Sequence, residues 1–179
     1  MAASRGLFHS STAQYAPDKL GSDLRFLKYF VQQRFYRKVR QVVFATSAQL
    51  GLATAFDTTL VPDQRFFAGG GNNVRGYDQD VLSPTDLFGT AVGGNALLVF
   101  NQEVRFPVIK YLRGVGFFDA GRAFERVGDL SLRELAPSAG FGFRVYTPFV
   151  LLRVDAGIPF DAAFGPRRTR WFFSIGQLF

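Results

Sequence analysis

The 179-residue sequence predicts an all-β fold: an antiparallel transmembrane β-barrel wall of about eight strands, interrupted by one long loop at about 55–90. Three observations carry this. Apolar and polar residues alternate with period two through most of the chain, while helical periodicity is scarce. Many alternating segments run to about 10–15 residues; strands of soluble proteins are mostly nearer five or six, and tilted spans of about 9–11 cross a bilayer. The polar face of these segments carries charges and glycines at mid-strand, which suits a polar lumen better than a water-facing sheet surface.

Two weaker strands open the chain, from about Gly6 to Gln14 and from about Asp23 to Tyr36. From Val42 the even positions Val42, Phe44, Thr46, Ala48, Leu50 and Leu52 oppose Val43, Ala45, Ser47, Gln49 and Gly51. After the long loop, Ala96, Leu98, Phe100, Val104 and Phe106 alternate with Asn95, Asn101, Glu103 and Arg105. Leu112, Gly114, Gly116, Phe118 and Ala120 then share a face against Arg113, Val115, Phe117, Asp119 and Gly121. Ala139, Phe141, Phe143 and Val145 oppose Gly140, Gly142, Arg144 and Tyr146, and Val150, Leu152, Val154, Ala156 and Ile158 oppose Arg153, Asp155 and Gly157. The final strand sets Trp171, Phe173, Ile175, Gln177 and Phe179 against Phe172, Ser174, Gly176 and Leu178. Turns fall at Ala16-Pro17-Asp18, Thr147-Pro148 and Phe164-Gly165-Pro166. A soluble sandwich or barrel with an apolar interior shares the alternation and is the competing architecture.

Composition narrows the function classes. The chain has 22 Phe and 19 Gly but no Cys and a single His, His9. Disulfides, thiolate metal sites, a Cys nucleophile and a His-cluster zinc site are therefore absent from the expectations, and no cofactor is expected. No Ser/His/acid set stands out, so the expectation is not an enzyme. The net charge of +7 comes mostly from dispersed arginines, densest at Arg34, Arg37, Lys38 and Arg40 and at Arg167, Arg168 and Arg170, with no nucleic-acid motif, so nucleic acid is not an expected partner. No apolar run reaches the roughly 18 residues of a membrane helix. The stretch Met1 to Ser10 lacks the apolar core of a secretory signal, so either export is not intended or the true start lies further upstream, and the chain is either a truncated form or a genuine eight-stranded protein that closes alone or pairs.

The long loop centres on Arg65-Phe66-Phe67-Ala68-Gly69-Gly70-Gly71-Asn72-Asn73-Val74-Arg75-Gly76-Tyr77. It matches neither a dinucleotide fingerprint nor a P-loop, and its apolar residues are unlike a purely solvated segment. This segment resembles the sixth extracellular loop of the BamA/TamA superfamily of outer-membrane assembly barrels, the bacterial surface antigen family. The resemblance implies a loop folded into the barrel, with the tip Val74, Arg75, Gly76 and Tyr77 against acidic wall residues. Asn101-Gln102-Glu103-Val104-Arg105-Phe106-Pro107 and Phe117-Phe118-Asp119-Ala120-Gly121 resemble the family's wall motifs, which implies Glu103 and Asp119 as partners of Arg75. A guanidinium confined between two carboxylates makes short, charge-assisted bonds that Lys would reproduce poorly. The plainer alternative leaves Arg75 solvated and pairs the acids with lumen arginines such as Arg105.

The C-terminal stretch 171–179, with Trp171, Phe173, Ile175, Gly176 and a terminal Phe179, resembles the β-signal that marks outer-membrane barrels for assembly; Gln177 departs from it. Taken over residues 1–179, the resemblance implies the C-terminal half of a sixteen-stranded barrel, preceded in the family by POTRA or other modules. It implies an outer membrane of Gram-negative type. It further implies contact with the lipid bilayer and nascent outer-membrane β-barrel proteins, and with accessory assembly proteins or a second copy. The implied work is insertion or translocation of outer-membrane proteins. Two-partner secretion transporters and patatin-fused barrels are the related alternatives, and a soluble barrel binding a small apolar ligand is the alternative of another class.

Overall fold

In a computed structural model of the chain, the described residues are 4–17, 25–56, 59–146 and 151–176. Eight strands form one antiparallel sheet in sequence order: β1 (Gly6–Ala16), β2 (Phe26–Val39), β3 (Val42–Ala55), β4 (Ala96–Ile109), β5 (Leu112–Phe124), β6 (Ala136–Tyr146), β7 (Leu151–Pro159) and β8 (Arg170–Ile175). Every neighbour pair is a sequential antiparallel ladder, so the sheet is a meander. It is open: β1 and β8 are its two edges. Tight turns at Arg40-Gln41 and Lys110-Tyr111 close one end, Arg40 taking a left-handed φ of 54°. The expected turn at Thr147-Pro148, Val150 before β7, and Asp18 of the first turn lie outside the described residues.

The two faces separate as the alternation predicts. Phe44, Phe100, Phe118, Phe141, Phe143 and Phe173 all point to the outer face and are 38–74% exposed. The inner face carries Ser47, Asn101, Glu103, Arg105, Asp119, Arg144, Arg153 and Asp155, all buried. A soluble barrel with an apolar interior requires the reverse arrangement. An outward apolar band with an inward polar wall is what a bilayer demands of strands, since a Lys or Arg on the lipid face at mid-depth costs about 2–4 kcal/mol.

The inner wall is polar yet covered. The segment joining β3 to β4 runs from 56 to 95, five residues past the expected end near Thr90. The reason lies in its own pairing: Phe66 and Gly94 exchange two backbone hydrogen bonds of 2.8 Å, so the chain stays in the loop until Ala96. Loop residues Leu60, Phe66, Ala68, Val74, Tyr77 and Leu82 form a hydrophobic core with wall residues Ala53, Leu97, Val99, Ala123 and Ala136. The core of the protein thus sits between loop and wall, and the loop's apolar residues are what fill it.

Candidate functional site

The loop is shaped before it reaches its tip. Arg65 Nε donates to the Leu60 carbonyl at 2.8 Å and a terminal nitrogen donates to Val92, tying the two limbs together. The Phe66 ring stacks on Phe30 with centroids 6.2 Å apart and lies against Gly51, where a Cβ would fall 2.7 Å from it. Asn73 then organises the approach to the tip. Its Oδ1 accepts from the Gly69 and Val74 amides at 2.8 Å, and its amide donates to the Phe67 carbonyl. Asn101 on β4 donates to the Asn73 carbonyl at 2.6 Å, fixing the tip to the wall. Gly76 follows at φ 95°, a left-handed turn that a side chain would strain.

This path delivers Arg75 to the wall, where it is 2% exposed. Its Nε and one terminal nitrogen donate side by side to Asp119, at 2.7 and 2.8 Å, and its backbone amide adds a third bond to the same carboxylate at 3.1 Å. The other terminal nitrogen donates to Glu103 at 2.5 Å and to Asp155 at 3.4 Å. The guanidinium carbon lies over the Phe117 ring, 3.7 Å from its centroid. The fork, the face and the charge of arginine are all used, which is why Lys is a poor replacement. Burial opposes the Arg75 charge, but the carboxylates of Asp119, Glu103 and Asp155 outweigh it and hold its pKa above the ordinary arginine value.

The acids are themselves shared. Arg105 bonds Glu103 at 2.8 Å, Arg144 bonds Asp155 at 2.6 Å and reaches Glu103 at 3.4 Å, and Arg153 bonds Asp155. Four guanidiniums therefore surround three carboxylates in one buried network. The pairing of Glu103 with Arg105, weighed from sequence as an alternative to the Arg75 contact, exists alongside it.

The rest of the tip is also held. Tyr77 is fully buried; its hydroxyl donates to the Pro137 carbonyl at 2.8 Å and accepts from the Asp161 amide at 3.2 Å. Burial pushes the Tyr77 phenol above its ordinary value. Asp78 receives two bonds, 2.7 and 2.8 Å, from Arg170 at the start of β8, which also donates to the Gly76 carbonyl at 2.9 Å. The hydrogen bonds from Arg170 hold the Asp78 carboxyl below its ordinary 3.8. A carboxylate depressed on folding stabilises the folded state above its unfolded pKa, and that contribution is lost as pH falls through the folded value. Loop protease resistance should therefore hold at neutral pH and decline below about pH 4, and Asp78→Asn should weaken it at neutral pH and flatten that decline. The check is limited proteolysis of loop 56–95 by an acid-active protease across pH 2.5–7. An unchanged profile in Asp78→Asn would remove this pair from the account.

Of the C-terminal residues singled out from sequence, Trp171, Phe173 and Ile175 face outward, 58, 74 and 76% exposed. The Gly176 amide donates to the Leu151 carbonyl at 2.8 Å. Phe179, and Gln177 beside it, lie outside the described residues. The strand begins at Arg170, one residue before the expected start. Three parts of the site were missed from sequence: Asp155 as a third carboxylate, Phe117 beneath the guanidinium, and the Asp78–Arg170 pair. The placement of Asp155 on the polar alternation between Arg153 and Gly157 is the one signal that could have flagged it.

An open antiparallel wall with an apolar outer face, whose inner face seats a long loop through one buried arginine, defines the class of membrane β-barrel walls with an inward-folded loop. The chain belongs to the Omp85 superfamily, whose domain profile matches residues 1–179. It is 28% identical to the outer membrane protein assembly factor BamA of Nitratidesulfovibrio vulgaris over 98% of this chain, which spans 23% of that protein. It is 28% identical to the chloroplastic outer envelope protein 80 of Arabidopsis thaliana over 63% of this chain and 13% of that protein. The fold is that of the crystal structure of BamA from Haemophilus ducreyi lacking POTRA domains 1–3, with a TM-score of 0.82 at 19% identity, over 96% of this chain and 38% of that one. The chain thus spans less than a quarter of the length of either curated relative.

Proposed function

We propose that this chain is the C-terminal part of an outer-membrane barrel that inserts or translocates other outer-membrane β-barrel proteins. The observation that carries the reading is the seated loop tip: Val74–Tyr77 lies on the inner wall with Arg75 bound to Glu103, Asp119 and Asp155. Such a clamp keeps the lumen occupied and the wall rigid while work is done at an edge. The edge strand β8 pairs with β7 over six residue pairs, from Gly157↔Arg170 to Leu152↔Ile175, and its other side has no strand among the described residues. A free strand edge accepts an incoming strand by backbone hydrogen bonding, the chemistry of β-augmentation. Residues 171–179 serve in this reading as the chain's own assembly signal. The partners are the bilayer, nascent β-barrel chains, and accessory assembly proteins or a second copy; no bond-making chemistry is involved. The relatives' names, an assembly factor and an outer envelope protein, support the same location.

Depleting the complete protein in its host tests this. Folded outer-membrane barrels, followed by their heat-modifiable gel mobility, should fall several-fold before growth stops. Unchanged levels would overturn the assembly role and leave secretion of a dedicated substrate as the surviving use of the fold.

A further inference from the structure

The two ends of the sheet differ in charge. At the loop end both signs occur together, for example Asp63, Asp129 and Glu134 with Arg126, Arg133 and Arg167. The short-turn end is different. The β2–β3 hairpin presents Arg37 and Arg40 and the β4–β5 hairpin presents Lys110, all exposed; Lys38 and Arg113, also exposed, stand on the strand rows that face inward, opposite Val43 and Arg144. No acidic residue occurs between Asp23 and Asp57 or between Glu103 and Asp119, so this rim carries no compensating carboxylate from either hairpin. The bases are interleaved with exposed apolar and aromatic side chains: Val39 is 47% exposed, Val108 49%, Ile109 67% and Tyr111 57%. Lys110 Nζ lies 5.2 Å from the Tyr111 centroid.

We propose that this rim is a docking surface for anionic phospholipid headgroups of the leaflet on the short-turn side. The inference rests on the membrane-barrel reading above and adds to it the lipid class and the residues. Aromatic side chains concentrate where strands leave the hydrocarbon, and bases at that level meet the phosphates of the headgroups. A rim of one sign beside apolar side chains fits a surface that offers negative charge and hydrocarbon together. An acidic protein surface would match the charge but leave Ile109 and Val108 against a polar partner. Barrels place short turns on the periplasmic side, which assigns the site to the phospholipid leaflet. Each base close to an anionic membrane surface strengthens binding about fivefold, so three together select strongly for charged over zwitterionic lipid.

The test uses the complete protein purified in mild detergent and placed in nanodiscs of phosphatidylcholine with one-fifth phosphatidylglycerol. Lipid retained after detergent extraction is counted by native mass spectrometry. The wild type should retain phosphatidylglycerol in preference. Changing Arg37, Arg40 and Lys110 to Gln should reduce that preference at least about tenfold. Changing Arg37 and Arg40 to Lys should preserve it, and added glycerol phosphate should not compete. Heat-modifiable mobility confirms that each variant is folded; if the three-residue variant is not, the Arg37→Gln/Arg40→Gln pair should still lower the preference several-fold. Unchanged lipid retention in a folded variant would overturn the proposal. So would an equal loss on changing Arg126, Arg133 and Arg167 at the opposite end, or loss of a co-purifying protein with lipid retention intact. Failure of the assembly test with lipid selection preserved would refute the assembly role alone.

Discussion

Replacing Arg75 by Ala in the complete protein should free loop 56–95 and cost about 3–5 kcal/mol of barrel stability, the range for breaking a buried ion pair from one side. The network shows where that cost falls. Glu103 keeps Arg105 and Arg144, and Asp155 keeps Arg144 and Arg153, so both retain guanidinium partners. Asp119 loses the side-on pair that Arg75 makes to both of its oxygens while remaining fully buried. While the tip stays seated its carboxylate keeps only the backbone amide at position 75, 3.1 Å away, and a buried charge paired so poorly is costlier than no charge at all. Arg75→Ala combined with Asp119→Ala should therefore be more stable than Arg75→Ala alone. Arg75→Lys should fall between wild type and Ala, since the charge survives but the fork and the contact with Phe117 do not. Urea unfolding in detergent, read by heat-modifiable mobility, measures the stability, and limited proteolysis of loop 56–95 measures its release. Wild-type protease resistance in Arg75→Ala would show that the hydrophobic core beneath the loop, not the arginine, holds it.

How much of this was legible in the sequence follows from the physics of each part. Strand faces were readable because lipid and lumen impose opposite chemistry on alternate residues: Phe118 and Asp119 are neighbours in sequence, one 46% exposed outward and the other fully buried inward. Phe117 breaks the simple rule. It is aromatic yet inward, where the Arg75 guanidinium lies over its ring. The grouping of Arg75 with Glu103 and Asp119 came from a motif resemblance, since no periodicity relates residues 28 and 44 positions apart. Asp155 is 80 positions from Arg75 and has Arg153 two positions away, a local partner that already accounts for it. The Asp78–Arg170 pair spans 92 positions and depends on where the loop turns after Gly76, which only the folded backbone shows. The loop's end was placed too early because its last residues pair with Phe66 inside the loop and not with a strand partner.

Gly157→Ala should dislodge the same tip from the opposite direction, by volume in place of charge. Gly157 lies on β7 where the tip backbone crosses the wall, and a Cβ there would stand 2.7 Å from the Gly76 amide nitrogen, 2.9 Å from Gly76 Cα and 3.1 Å from the Arg75 carbonyl carbon. These are backbone atoms, so no side chain can rotate aside; the tip must lift, or β7 must bend. Overpacking of this kind typically costs about 1–3 kcal/mol, and Gly157→Val should cost more. Lifting the tip by a fraction of an ångström also stretches the 2.7 and 2.8 Å bonds from Arg75 to Asp119, so the steric and electrostatic terms are coupled. That coupling gives the sharper test. Once Arg75→Ala has released the tip, the alanine at position 157 meets little, and the double variant should be less destabilised than the sum of the single variants. Gly116→Ala, where no atom lies within 4 Å of the new Cβ, serves as the control and should be close to neutral. Additive costs in the Arg75/Gly157 cycle would mean that the glycine serves the strand itself and not the seating of the loop.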